Sequence, residues 1–255
     1  MKLAAIYNVF DGEELLEQSI KSIKDNVDII IIVFQTISNF GEVRQNLVDK
    51  IIKLKTSGLV NELILFTPKQ ISPQLNEQNK RRIGLIKARE LGATHFLTMD
   101  CDEFYYDEEF KNAKNICEKY NIDASIVFIQ NYWKKPEFKC VEYIEPFKCG
   151  FINKIYPTTD FETIEPYFTD WIDPTRRINT TTRNLIFSPN FIMMHHYTTI
   201  RSDITRKYNN STARLCNNNI EAINDKIKNV KDYNINDLNN NIICVKKTNN
   251  FNIKI

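Results

Sequence analysis

Thr94-His95-Phe96-Leu97-Thr98-Met99-Asp100-Cys101-Asp102-Glu103 is an apolar run that ends abruptly in three acids. Residues 94–99 read as a strand, and its apolar character fits one covered on both faces of a parallel sheet. Residues i and i+2 of an extended chain project to the same side, so Asp100 and Asp102 can share one cation, or a cation and a ribose. In open α/β sheets ligands bind beyond the carboxyl ends of the strands, where these acids fall. Two unpaired carboxylates so close would repel each other, and a divalent metal bridging to a diphosphate relieves that repulsion. The competing reading is a solvated acidic turn capping a helix that starts near Asp107.

Upstream of this stretch, short apolar runs alternate with helical patterns, the signature of βαβ units. Residues 3–8 and 29–34 read as the first two strands, and 63–66 as a third. Asp11 and Glu14 have the capping spacing, and Leu16, Ile20 and Ile23 share a face, which predicts a helix over 12–24. Val43, Leu47, Ile51 and Leu54 predict a second helix closed by Gly58. Beyond Pro68 and Pro73, the stripe Ile83, Ile86 and Leu91 predicts a third over 79–91, stopped by Gly92. Phe110, Ala113, Cys117 and Tyr120 mark a fourth, followed by a strand over 124–130. Past residue 130, aromatic and proline-containing segments predict antiparallel strands and long loops, with a last helix over 220–230 and an Asn-rich end. The expected class is α/β, a mostly parallel central sheet flanked by helices with an antiparallel and helical C-terminal extension.

The chain has 255 residues, enough for one large domain, and 34 Lys and Arg against 32 Asp and Glu leave a net charge of +2. That balance excludes a strongly basic nucleic-acid binder. The apolar run over 29–34 is too short to span a bilayer, and the N-terminus lacks the pattern of a secretory signal. The six cysteines form no CxxC pair, so they read as reduced, buried thiols rather than zinc ligands, and the expected location is cytoplasmic. Six glycines are few for a phosphate-cradling loop.

A second constellation is Met193-Met194-His195-His196-Tyr197. Adjacent strand residues point to opposite faces, so at most one of His195 and His196 faces a given ion, and His with Asp oxygens suits Mn²⁺ better than Ca²⁺. A basic set completes the inventory. Arg81 and Arg82 fall at the expected start of the third helix, an unfavourable place for cations that lack an anionic partner. Arg201 and Lys207 follow the histidines and could clamp a diphosphate leaving group.

The arrangement resembles a GT-A-fold glycosyltransferase of the family-2 type. Three segments carry the likeness: Leu3-Ala4-Ala5-Ile6-Tyr7-Asn8 followed by Glu13 and Glu14, then Arg81-Arg82-Ile83-Gly84-Leu85-Ile86-Lys87-Ala88, then Phe96 to Asp102 with its DxD motif. The likeness covers about residues 1–130, implied to be the nucleotide-sugar-binding half of a single domain spanning 1–255. Residues 131–214 would then supply the acceptor and metal-ligand half, and 215–255 an extension. By this resemblance Asp102 holds Mn²⁺ or Mg²⁺, Asp100 contacts the ribose or the metal, and His195 or His196 is a further ligand. Tyr7 and Asn8 would meet a uracil-like base, and Arg81 and Arg82 the donor. Two departures stand out: Gln35 to Asn39 replaces the usual acid after the second strand, and Arg82 stands where the family has Asn.

An inverting transfer needs a carboxylate to take the acceptor's proton, and Asp170 and Asp173, flanking Trp171, are the candidates. Trp171 could form a sugar platform and Arg176 an anchor in the acceptor site; the alternative is that 173–176 is simply a turn. The expected activity is metal-dependent transfer from a nucleotide-diphosphate sugar, with UDP-sugars favoured, to a glycan, lipid-linked or protein acceptor. A nucleotidyltransferase using the same metal site, and an inactive glycan- or protein-binding module, are the alternatives.

Overall fold

The computed structural model describes residues 1–141, 147–162, 167–170, 172–179, 182–211, 243–246 and 248–254. Trp171 and the helix expected over 220–230 lie outside them. Strand β1 (Leu3–Val9) is buried along its whole length and pairs in parallel with β2 (Ile29–Phe34) on one side and β4 (His95–Asp100) on the other. Strand β3 (Glu62–Leu65) continues the parallel set beyond β2. On the far side of β4, β8 (Lys148–Lys154) runs antiparallel and joins it to β6 (Ala124–Asn131). Strands β9 (Asn184–Ile186) and β10 (Met193–His196) pair in parallel with successive halves of β6. A two-residue strand, β5 (Glu103–Phe104), closes the edge antiparallel to β10. Strands β7 (Phe138–Val141) and β11 (Ile243–Lys246) form a separate antiparallel pair. The α/β class expected from the sequence is the one observed.

The pleat of β1 divides the core. Leu3, Ala5, Tyr7 and Val9 pack with Leu16, Ile20, Ile51 and Phe110, from α1 (Glu13–Ile23), α2 (Leu47–Thr56) and α4 (Asp107–Lys119). Ala4 and Ile6 point the other way, toward Leu85 and Ala88 of α3 (Pro73–Glu90) and toward Phe161 and Ile178. This alternation makes β1 an unbroken apolar run, because each face has its own helical cover.

Three helical expectations need correction. Helix α3 starts at Pro73, six residues before the expected 79, because Ser72 accepts a hydrogen bond from the Leu75 N–H at 3.3 Å and Pro73 is preset for the first turn. Arg81 and Arg82 therefore sit mid-helix, and the inward face carries Lys80, Arg81, Gly84, Leu85 and Ala88, while Ile86 of the expected stripe is exposed. Helix α2 starts at Leu47, leaving Val43 exposed before it. Helix α1 is capped by Gly12 with no side-chain bond, and Asp11 instead pairs with Arg44 and Arg206 at 3.2 and 2.9 Å.

Gly84 lets α3 approach β1 so closely that a Cβ there would overlap Ile6 Cγ2. Gly84→Ala is expected to lower stability by about 1–3 kcal/mol, despite alanine's better helix propensity, as overpacking does elsewhere. Urea unfolding of the two proteins checks this, and an unchanged or higher midpoint contradicts it.

Candidate active site

A cleft of about 400 Å³ lies at the carboxyl ends of β1 and β4. Asn8 and Phe10 enter it from β1 and its following turn, Asp100 and Asp102 from the end of β4, and Glu77, Lys80 and Arg81 from α3. The later chain contributes Asp173, His196, Arg201 and Lys207. The pairing of His196 with Glu103 in the β10–β5 ladder fixes the histidine strand beside the acidic turn, although the two are remote in sequence.

Asp102 is 3 % exposed and carries three neighbours on one oxygen. Its Oδ2 accepts from Arg201 Nη2 at 2.6 Å and from Lys207 Nζ at 2.8 Å, and His196 Nε2 lies 3.5 Å away. Burial opposes its charge, yet Lys207 and Arg201 hold the carboxyl well below the usual range. Burial likewise pushes Lys207 down from its ordinary value, with Asp102 opposing that shift. Arg201 reaches this place because Gly12 is glycine: with φ at +84° and no side chain, it leaves the space that the guanidinium fills. Among the described residues, Arg201 Nε and Nη1 and Arg81 Nη1 have no hydrogen-bond partner.

Asp100 and Glu103 belong to a second ion network centred on Arg176. This guanidinium, at the end of a 3-10 turn (Pro174–Arg176), is buried; it donates to Asp100 Oδ2 at 2.7 Å and to both Glu103 oxygens at 2.5 and 3.0 Å. Arg81 Nη2 lies 3.4 Å from Asp100 Oδ1. Glu103 also accepts the Asp100 backbone N–H at 3.0 Å, which closes the turn on itself. Burial works against ionising Asp100, but Arg176 and Arg81 keep its carboxyl below the ordinary value. Burial, reinforced by the Asp100 charge, pushes Glu103 up.

Four parallel strands in the order β3-β2-β1-β4, an antiparallel β8 beside them, and acids at the carboxyl end of β4 are now in place. This is a mixed α/β architecture, a mostly parallel sheet flanked by helices. No protein-family model and no curated protein sequence matches the chain. Among solved structures, S. aureus TarS 1-349 is similar with a TM-score of 0.47 and 13% identity over 78% of this chain and 61% of that one. The same protein in complex with UDP-GlcNAc gives 0.39 and 14%, over 51% and 35%. GalNAc-T7 with UDP, GalNAc and Mn²⁺ gives 0.39 and 14%, over 51% and 23%. The chain thus spans between 23% and 61% of the length of these three.

Within this frame the expected site residues separate into two groups. Asn8, Arg81, Asp100, Asp102, Asp173, His196, Arg201 and Lys207 converge on the cleft. Tyr7 does not: it is fully buried in the core with its hydroxyl 3.1 Å from Ser19 Oγ, and Phe10 is the aromatic at the cleft. Arg82 turns away to Asp160, at 2.7 Å, and to the Phe161 carbonyl. His195 is buried beneath Tyr106 and Phe251, and its Nδ1 lies 2.9 Å from the Tyr132 hydroxyl, so of the adjacent pair only His196 faces the cleft. Asp170 is exposed and lines neither the cleft nor the cavity beside it. Arg176 lines that neighbouring cavity rather than the cleft and is buried against Asp100 and Glu103.

Sequence reading missed Phe10 and Glu77; it noted Lys80 among the basic residues and Glu103 among the acids without giving either a role in the site. Glu77, reaching over from α3, accepts from Asn39 Nδ2 at 3.1 Å and pairs with Lys80 at 3.0 Å, which puts a carboxylate near the end of β2 where the sequence offers only Gln35 to Asn39. The available signal was position: Glu77 and Lys80 precede Arg81 by four residues and one, on the same inward face of α3.

Among the described residues no group of three or more His, Cys, Asp and Glu side chains is placed to hold a metal ion. Asp102 and His196 nevertheless offer a carboxylate and an imidazole side by side. His196 Nδ1 lies 3.0 Å from Asn131 Oδ1, and with Nδ1–H donating there, Nε2 turns its lone pair toward Asp102. Two acceptors face each other in that arrangement, a pair that suits a Mn²⁺ or Mg²⁺ ion whose shell is completed by substrate phosphates. The residues present fit such an ion.

Two other histidines bear on stability. Burial pushes His95 down to about 4 and His195 down to about 3. Both values lie below the unfolded value of about 6.5, so their contribution is complete above that pH and is lost as pH falls toward the folded values. Each histidine is expected to cost about 1.4 kcal/mol per pH unit within that window. Urea midpoints at pH 7.5 and 5.5 check this: the midpoint falls at the lower pH and His95→Gln reduces the fall, whereas equal wild-type midpoints contradict it.

Proposed function

We propose that this protein is a glycosyltransferase that moves a sugar from a nucleotide-diphosphate sugar, with UDP-sugars favoured, to an acceptor hydroxyl with the help of a divalent cation. The arrangement around Asp102 carries this reading: a carboxylate, an imidazole and two cations gather at the carboxyl ends of parallel strands, in a cleft large enough for a nucleotide-sugar. The donors of Arg201 and Arg81 that lack partners among the described residues support an anionic ligand there, since buried donors without acceptors are costly.

In this reading Phe10, Asn8 and Glu77 receive the base and ribose, and Asp100, held by Arg176, faces the ribose or the ion. Asp102 and His196 would hold Mn²⁺ or Mg²⁺, and the ion would neutralise the diphosphate and help it leave. Arg201 and Lys207, which neutralise Asp102 in this structure, turn their charge to the diphosphate as negative charge develops on it. Asp173 takes the acceptor's proton. Its Oδ1 is held by the Thr175 N–H and hydroxyl, both at 2.8 Å, and Oδ2 lies 3.5 Å or more from Arg176 and Arg81. The acceptor oxygen bonds to the anomeric carbon as the sugar–phosphate bond breaks, and the nucleoside diphosphate departs. Buried thiols at Cys101, Cys117 and Cys149 support a reducing, cytoplasmic setting.

Incubation with a panel of nucleotide-sugars and Mn²⁺ tests the reaction class. Release of a nucleoside diphosphate supports transfer, and release of pyrophosphate from nucleoside triphosphates with no reaction of nucleotide-sugars replaces it with nucleotidyl transfer.

A further inference from the structure

A second cavity, of about 570 Å³, adjoins the donor cleft. Asp100, Asp173 and His196 line both, so they form the wall between the two spaces. Glu103 and Arg176 join Asp100 at that wall and Asn131 joins His196; Lys148 and Arg177 also line the cavity, but most of its surface is apolar. Ile129 of β6 and Met194 of β10 are partners in the parallel ladder and face it side by side. Ile172 and Pro174 close it from the segment that leads to Arg176, and Phe147, half exposed, stands at its edge.

A group able to accept a sugar in this fold must bring its hydroxyl to Asp173 from the side opposite the donor, and that side is this cavity. A body covered in hydroxyls would exchange its water for Ile129, Met194 and Ile172, none of which can hydrogen-bond, so it would be poorly held. An apolar body loses nothing there, and methionine's flexible thioether adapts to its shape.

We propose that this cavity is the acceptor site and takes an amphipathic alcohol: a hydroxyl-bearing head at Asp173 and an apolar body along Ile129, Met194 and Phe147. The proposal rests on the glycosyl-transfer reading above and adds the class of acceptor to it.

Octyl and methyl β-D-glucopyranoside share a head and differ only in the apolar body, so titrating each into the full chain saturated with UDP and Mn²⁺ isolates the contribution of that body. The octyl glycoside is expected to bind at least about tenfold more tightly. Phe147→Ser and Ile129→Ser should each reduce that preference at least about threefold while UDP affinity, measured on the same samples, stays as in the parent. Equal binding of the two glycosides, or a preference untouched in both variants, overturns the acceptor assignment and leaves the transfer reading standing. Failure of UDP to bind the parent protein under any metal condition overturns both.

Discussion

Asp102→Asn is expected to lower the rate of sugar transfer by about 10²–10³-fold, the scale seen when one group that stabilises developing charge is removed. The substitution keeps the shape of the side chain and removes its charge. In the parent, one carboxylate oxygen faces Arg201 Nη2 at 2.6 Å, Lys207 Nζ at 2.8 Å and His196 Nε2 at 3.5 Å. The amide leaves two buried cations without their anion and gives His196 no carboxylate with which to share an ion. Lys207, already pushed down by burial, loses the group that opposes that shift. Both kcat and metal affinity therefore fall together, and steady-state transfer assays across a Mn²⁺ series read the two effects. A variant that keeps the parental rate and the parental Mn²⁺ dependence contradicts the role given to Asp102.

Arg176→Met is expected to cost about 3–5 kcal/mol of stability, because it strands the buried Glu103 carboxyl and removes the cation shared with the part-exposed Asp100. Glu103 is 2 % exposed and receives two hydrogen bonds from Arg176, at 2.5 and 3.0 Å, while Asp100 receives a third at 2.7 Å. Methionine matches much of the arginine's volume, so the loss reports charge rather than a cavity. The double variant Arg176→Met/Glu103→Gln separates the two contributions: with Glu103 neutral, a substantial part of the lost stability returns. Urea unfolding of the single and double variants checks this. A loss below about 1 kcal/mol in the single variant would mean that Glu103 is held neutral and needs no partner.

Strands β1, β2 and β4 were legible in the sequence because helices cover both of their faces, and a strand so placed has to be apolar throughout. The pair Asp100 and Asp102 was legible for a related reason: acids directly after such a strand stand out, and the sheet's own geometry says where they lie. Helix α3 was read too short because its first turns, apart from the exposed Leu75, are polar: Asn76 is buried against the Lys69 backbone, and Glu77 and Lys80 line the cleft where aliphatic side chains would otherwise mark a core face. A periodicity argument has nothing to detect there, and only the Ser72-Pro73 cap marks the true start.

The partners of the acids were less accessible. Arg201 and Lys207 could be singled out as cations after the histidines, but their pairing with Asp102 depends on β10 lying against β5 and on the space left by Gly12. Neither is a local property of the chain. Arg176 was read as an anchor in the acceptor site, with a simple turn as the alternative; the structure buries it because Glu103, drawn inward between Asp102 and Phe104, needs a cation. Tyr7 was misplaced by one pleat, since its side chain follows Ala5 into the core while Asn8 follows Ile6 toward α3.

The central claim is that Asp102 sits at a nucleotide-diphosphate site that works with a divalent cation. Calorimetric titration of UDP into the parent protein and into Asp102→Asn, each with Mn²⁺ and with a chelator, tests it most directly. The account predicts that UDP binds the parent in Mn²⁺ and that removing either the metal or the carboxylate weakens binding at least about tenfold. Equal UDP affinity in all four titrations would contradict it.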